Sequence, residues 1–73
     1  MKSQGMVKEE SDLFFAVPAF GYHGLFIEMK DFGKLPTDGQ ASYLEYMNNL
    51  GYFAIYCVGA AHAIDCIKQY LGS

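Results

Sequence analysis

Three charged residues in the first half of the chain have the types and spacing of a metal-dependent hydrolytic site. Asp12 lies near the start of one apolar segment, and Glu28 and Lys30 lie two residues apart in the next, Gly24–Lys30. Alternate side chains of a β-strand share a face, so Glu28 and Lys30 are expected side by side, about 7 Å apart. Because burying an unpaired charge costs several kcal/mol, an apolar strand that carries this pair is expected to use it.

Two carboxylates at one edge of a sheet suit Mg²⁺ or Mn²⁺, because these hard ions prefer oxygen ligands. Such an ion lowers the pKa of a coordinated water and neutralises charge on a phosphate group. A neighbouring ammonium group orients the water or stabilises the transition state. Asp12, Glu28 and Lys30 therefore predict phosphodiester hydrolysis, provided that the strand register brings Asp12 onto the face of Glu28. The alternative is a salt bridge on an edge strand, with Asp12 a simple strand-start residue.

Three short segments predict the strands of a small mixed sheet. Residues 11–18, 24–30 and 52–58 are rich in β-formers and are bounded by proline and glycine. Residues 19–22 are a short connection that suits a β-hairpin between the first two strands. A helical segment separates the second and third strands, so these two are expected to be parallel.

Two segments predict helices, which completes the order β-β-α-β-α and an α/β fold class with a three-stranded sheet. The first helix starts at Thr37, whose spacing to Gln40 fits a capping box, and ends near Leu50, before Gly51. The second runs from about residue 60 to residue 71. Its apolar residues at helical spacing are Ala60, Ala63, Ile64, Ile67 and Leu71.

Composition indicates one small domain. The chain has 73 residues, of which 52% are hydrophobic and 18% charged, so self-association is expected to cover apolar surface. The net charge of −3, with five lysines and no arginine, argues mildly against nucleic-acid binding, although a bound metal ion reverses the local sign. No signal peptide or membrane span is apparent, so a cytoplasmic protein is expected.

Cys57 and Cys66 are interpreted as free buried thiols, with a zinc or disulfide role the less favoured interpretation.

A longer pattern surrounds the charged residues. It comprises Gly5, then Ser11-Asp12-Leu13-Phe14, then His23-Gly24-Leu25-Phe26-Ile27-Glu28-Met29-Lys30, then Gly33, Thr37, Gln40, Leu50-Gly51-Tyr52, Ala63-Ile64 and Tyr70-Leu71. This pattern resembles the PD-(D/E)xK nucleases and, more closely, the virus-type replication-repair nuclease (VRR-Nuc) family. The resemblance covers roughly residues 4 to 71. Its most specific element is the context of Glu28 and Lys30, followed by a glutamine ten residues after the lysine.

The resemblance implies a restriction-endonuclease-like fold and cleavage of DNA with Mg²⁺ or Mn²⁺. Small phage and bacterial members of the family are homodimers associated with branched DNA such as four-way (Holliday) junctions. By the same resemblance, Asp12, Glu28 and the carbonyl of Met29 would bind the metal. Lys30 would be the catalytic lysine, and Gln40 would support the lysine or the attacking water.

The resemblance divides the chain into a polar N-terminal segment, residues 1–10, and a nuclease-like domain, residues 11–73. Ser11 replaces the family's proline, and the family's N-terminal helix and the strand before Asp12 are expected to be lacking. Two functions are therefore predicted: a DNA endonuclease or, alternatively, an inactive DNA-junction-binding or assembly module truncated from one.

Other residues receive lesser roles. Lys34 is interpreted as a DNA contact, and His23 and His62 as structural or solvated residues. Most of the aromatic residues are interpreted as core or dimer interface, namely Phe14, Phe15, Phe20, Tyr43, Tyr46 and Tyr56.

Overall fold

Three strands and two helices follow one another in the predicted order. The computed structural model describes residues 12–72, so the segment assigned to residues 1–10 lies outside the described residues, as do Ser11 and Ser73. The elements are β1 (Asp12–Phe15), β2 (Leu25–Lys30), α1 (Asp38–Asn49), β3 (Phe53–Val58) and α2 (Gly59–Leu71). The predicted fold class, a small α/β domain with a mixed sheet in the order β-β-α-β-α, is confirmed.

The central strand of the sheet is β2. It pairs with β1 in antiparallel orientation and with β3 in parallel orientation, which gives the spatial order β1-β2-β3. In this register Asp12 lies opposite Glu28, and Val58 lies opposite Lys30. The strand has a neighbour on each side and a helix on each face, so almost all of it is buried.

The two faces of the sheet build two separate apolar cores, as the alternation of β2 predicts. Leu25 and Ile27 pack with Cys57 and with residues of α2 on one face. Phe26 packs with residues of α1 on the other face, which is also the face of Glu28 and Lys30. The members of this second core are Phe26, Leu44, Met47 and Ala54.

A tight turn at residues 19–22 joins β1 to β2, where the sequence predicts the connection, but β1 itself is shorter than predicted. β1 ends at Phe15 rather than near Pro18, because proline has no N–H to donate to a ladder. Ala19 and Tyr22 exchange both backbone hydrogen bonds, at 3.2 and 2.8 Å. Phe20 and Gly21 between them have φ of 54° and 84°, the positive values of a type I′ hairpin turn.

The boundaries of α1 follow the predicted caps. The Thr37 hydroxyl accepts the Gln40 N–H at 3.2 Å, and the Gln40 side chain accepts the Thr37 N–H at 2.9 Å, which completes the capping box. Beyond the other end, Gly51 has φ of 99° and lies against the His23 ring, where a Cβ would stand 2.7 Å from the nearest ring carbon. Glycine is therefore required at this helix end.

The buried face of α2 differs from the predicted stripe. Ala63 and Tyr70 are buried and Cys66 and Ile67 are half-buried, whereas Ile64 and Leu71 are exposed. The helix is rotated so that Ala63 and Tyr70 approach the sheet, and the Tyr70 hydroxyl donates to the Val17 carbonyl at 2.6 Å. Neither α2 nor α1 is long and apolar enough to cross a lipid bilayer.

The exposed aromatic residues correct another expectation. Phe14, Phe20, Tyr43 and Tyr46 are between about half and three-quarters exposed, so none of them belongs to the core. Tyr43 touches the buried ring of Phe26, with 5.5 Å between centroids, and these rings form an apolar surface on the α1 side of the sheet. The core role is therefore wrong for these four residues, and an interface role stays a prediction.

Asn48 joins α1 to the outer edge of β3, which predicts a measurable contribution to stability. Its side-chain amide donates to the Ala54 carbonyl and accepts the Ala54 N–H, both at 3.0 Å. We expect Asn48→Ala to lower the free energy of unfolding by about 1–3 kcal/mol, because two backbone groups lose their partner. The exposed neighbour Asn49 is the matched control, and Asn49→Ala should change stability by less than about 0.5 kcal/mol. Urea unfolding of both variants makes the comparison, and equal effects would contradict the role of Asn48.

Candidate functional site

The strand register brings Asp12 and Glu28 onto the same face of the sheet. The two residues are directly opposite in the antiparallel pair of β1 and β2, and directly opposite side chains share a face. The sequence left this register open, and the structure decides it. Lys30 lies two residues further along β2 and therefore on the same face.

The pairing of Asp12 with Glu28 is of the type that brings side chains closest. The Phe53 N–H donates to the Gly24 carbonyl at 2.9 Å. The N–H and carbonyl groups of the even-numbered residues of β2 therefore point toward β3, and those of the odd-numbered residues point toward β1. The pair Asp12–Glu28 is therefore a non-hydrogen-bonded pair, in which the Cα atoms approach to about 4.5 Å. By the same alternation, the Met29 carbonyl points toward the β1 side of the strand. Two carboxylates and one peptide oxygen thus lie at the same end of the sheet.

Glu28 and Lys30 are almost completely buried, at 6% and 5% exposure. The side chain of Gln40 lies between them. Its Nε2 donates to Glu28 Oε2 at 3.0 Å, and its Oε1 accepts from Lys30 Nζ, also at 3.0 Å. The amide offers its donor to the carboxylate and its acceptor to the ammonium, so each buried charge faces a partial charge of opposite sign. Gln40 therefore couples the start of α1 to the charged end of β2.

Asp12 differs from these residues because its side chain is exposed. The candidate site is therefore buried on the side of Glu28 and Lys30 and open on the side of Asp12. A small ion or a phosphate group would approach from that side.

The donor set fits the predicted metal ion. Carboxylate and carbonyl oxygens are hard ligands, and Mg²⁺ and Mn²⁺ favour them over nitrogen and sulfur. Asp12 and Glu28 would hold the ion, with the Met29 carbonyl as a further ligand. The ammonium of Lys30, which Gln40 holds on the same face, would lie beside it.

Lys34 lies close in sequence to this end of the sheet. Its N–H donates to the Asp31 carbonyl at 3.1 Å, which closes a turn directly after β2, and its side chain is exposed.

His23 lies before β2 begins, at the opposite end of the strand from Lys30. Its ring packs on Tyr52, with 5.6 Å between centroids, and its N–H donates to the Gly51 carbonyl at 2.8 Å. His23 is thus exposed and in contact with Tyr52, away from the candidate site.

A second group of residues joins His62 to the two cysteines, for which a zinc role was the less favoured interpretation. Cys57, His62 and Cys66 come together on the face of the sheet that α2 covers, and their ligand atoms all lie within 4.8 Å of one another. Cys57 is buried, as predicted, but Cys66 is half-buried and His62 exposed. The signal that could have found the group is the spacing of His62 and Cys66, four residues apart and hence on one side of a helix.

The bridging role of Gln40 leads to a stability prediction. Gln40→Met keeps the size of the side chain but removes one hydrogen bond each from Glu28, Lys30 and the Thr37 N–H, so we expect the free energy of unfolding to fall by about 2–4 kcal/mol. Thr37→Ala removes only the helix cap and should cost about 1 kcal/mol. Denaturant unfolding of both variants separates the two roles, and equal losses would show that Gln40 acts only as a cap.

Comparisons of the chain with protein-family models, with curated proteins and with solved structures give no match. The resemblance to the VRR-Nuc family therefore stays a prediction from the sequence. Any assignment of function rests on that resemblance and on the geometry of the residues described above.

Proposed function

We propose that the protein is a DNA endonuclease that hydrolyses phosphodiester bonds with Mg²⁺ or Mn²⁺. The observation that carries the proposal is the register of β1 and β2, which sets Asp12 opposite Glu28 on the face of Lys30. Asp12, from another strand, thus lies on the same face as Glu28 and Lys30, which supports a site for phosphodiester hydrolysis. A simple salt bridge between Glu28 and Lys30 would not need the exposed carboxylate of Asp12 beside it.

Asp12 and Glu28 hold the divalent ion in this proposal, together with the Met29 carbonyl. When bound, the ion supplies Lewis-acid chemistry at the phosphate and at the attacking water. The burial of Glu28 strengthens its attraction for a cation, because charges interact more strongly away from bulk water. The exposed Asp12 leaves one side of the site open to the substrate.

Lys30 supplies positive charge at the reacting phosphate. Its ammonium donates one hydrogen bond to Gln40 Oε1, and this bond fixes the direction of the side chain. An ammonium has three protons to donate, so it can also hold a phosphate oxygen or the attacking water. In this position it stabilises the negative charge that grows on the phosphate during hydrolysis.

Gln40 is a positioning residue. Its amide contacts Glu28 and Lys30 rather than the substrate, and it holds both groups in place before the substrate arrives. Preorganised groups need little rearrangement during the reaction, which is the usual source of electrostatic catalysis. The capping box anchors this amide to the first turn of α1.

The choice of DNA, and of branched DNA in particular, follows from the sequence resemblance. Lys34 is the proposed phosphate contact, since it is exposed in the turn directly after β2. Homodimer formation is part of the proposal, and exposed apolar residues on one side of the sheet support it. These residues are Phe14, Tyr43, Tyr46 and Leu50.

Cleavage of labelled DNA tests the proposal. With Mn²⁺ the protein should cut a four-way junction, and a chelator should stop the reaction. Asp12→Asn should lower the rate at least about a hundredfold, because the charged metal ligand is lost. Asparagine has the shape of aspartate and the position is exposed, so the fold should be little affected. Asp65→Asn changes an exposed carboxylate on α2 in the same way and should leave the rate unchanged.

Lys30→Ala tests the catalytic lysine and should also lower the rate at least about a hundredfold, whereas Lys68→Ala on α2 should not. Circular dichroism and thermal melting verify that each variant is folded. Cleavage by Asp12→Asn at the rate of the unaltered protein would contradict the proposed site. Salt-sensitive junction binding without cleavage by the unaltered protein would favour the alternative, an inactive junction-binding module.

A further inference from the structure

We propose that Cys57, His62 and Cys66 form a zinc site on the face of the sheet opposite Glu28 and Lys30. Cys57 is the penultimate residue of β3, just before α2 begins. His62 and Cys66 follow in α2, four residues apart and therefore on the same side of the helix. The parallel strand and the helix that follows it thus bring three potential ligands to one point.

The distances fit the coordination of zinc. The two Sγ atoms lie 3.4 Å apart, and all three ligand atoms lie within 4.8 Å of one another. Zn–S bonds of about 2.3 Å at a tetrahedral angle place two sulfur atoms about 3.8 Å apart. The two sulfur atoms therefore need to separate by only a few tenths of an ångström, and the imidazole has the larger distance to move.

The ligand types select the metal. Two thiolates and one imidazole are soft to borderline ligands, which favour zinc over Mg²⁺ and Mn²⁺. Three protein ligands leave the fourth tetrahedral position for water or another small ligand. Cys66 is half-buried and His62 is exposed, so this position can be reached from solvent.

A zinc ion would replace two hydrogen bonds of the metal-free protein. The Cys57 thiol donates to Cys66, and burial together with this contact raises the pKa of Cys57 to about 12. Binding forms two Zn–S bonds and releases both thiol protons to solvent, so that charge and atoms balance. His62 Nδ1 accepts the Val58 N–H at 3.1 Å, and the imidazole gives up this bond when it binds the ion.

The third ligand distinguishes a metal site from a disulfide. Two cysteines alone would suit either a metal or a disulfide. For a disulfide, their Sγ atoms would have to approach from 3.4 Å to about 2.05 Å. A disulfide has no use for His62, and it requires an oxidant. The imidazole within reach of both sulfur atoms favours the metal.

This site is independent of the proposed nuclease site. Cys57 is the register partner of Met29, and both side chains point to the α2 face of β2 and β3. Glu28 and Lys30 point to the α1 face. A zinc ion held by Cys57, His62 and Cys66 would fasten β3 to α2 and would stabilise the fold without touching the phosphate substrate.

Cobalt binding tests the proposal, because a sulfur-bound Co²⁺ shows a thiolate charge-transfer band that an oxygen-bound Co²⁺ does not. The whole protein is reduced and freed of metal, and a thiol assay after denaturation verifies two reduced cysteines. Titration with Co²⁺ should then give this band, together with the visible bands of tetrahedral cobalt, and saturation at one ion per chain. Zn²⁺ should displace the cobalt and raise the melting temperature.

Variants of the more accessible ligands keep the test independent of folding. Cys66→Ser and His62→Gln should each weaken Co²⁺ binding at least tenfold, and both should melt cooperatively without metal. His23→Gln, which changes the chain's other histidine, should bind as the unaltered protein does. The proposal is overturned if the fully reduced protein shows no charge-transfer band, or if either ligand variant binds as tightly as the unaltered protein.

Discussion

The structure depends on how it accommodates two opposite charges inside the central strand of its sheet. Glu28 and Lys30 lie on β2, which has a strand on each side and a helix on each face, and they are almost as inaccessible as the apolar residues around them. Charges in such a position require polar partners, because water is not available to solvate them. The Gln40 amide meets this requirement with one donor and one acceptor. The same oxygen accepts the Thr37 N–H, so the start of α1 and the charged end of β2 are held by one side chain.

Strand alternation gives the small sheet two chemically different faces. The α1 face carries oxygen ligands and an ammonium group, whereas the α2 face carries thiols and an imidazole. The first set suits a hard ion and the second a soft one. Both sets lie toward the end of the sheet where β2 and β3 terminate, and the thickness of the sheet separates them. In the proposed account, chemistry occurs on one face and the metal on the other face only stabilises the fold.

Much of the fold could be predicted because its signals are local. Proline, glycine and the pair Thr37 and Gln40 mark where elements begin and end, and alternation along β2 separates its two faces. The register of Asp12 against Glu28 could not be predicted, because it depends on how the hairpin turn closes and on the length of β1. The rotation of α2 was predicted wrongly for a similar reason. Ile64 and Leu71 are as apolar as the residues it buries, and only packing against the sheet determines that Ala63 and Tyr70 face inward.

The candidate site was predictable in its residues but not in its connections. The capping spacing and the resemblance both singled out Gln40, yet only the fold reveals that its amide joins Glu28 to Lys30. The grouping of His62 with Cys57 and Cys66 was not predicted, because its members belong to a strand and a helix whose relative position no short motif records.

The central claim is that Asp12 and Glu28 bind a hard divalent ion, and paramagnetic broadening by Mn²⁺ tests it most directly. A protein of 8.1 kDa is well suited to solution NMR. Substoichiometric Mn²⁺ added to the ¹⁵N-labelled protein should broaden the amide signals of Asp12, Glu28 and Met29 first, and Asp12→Asn should abolish this selectivity. Broadening that is uniform, or that is centred on another part of the described chain, would contradict the claim.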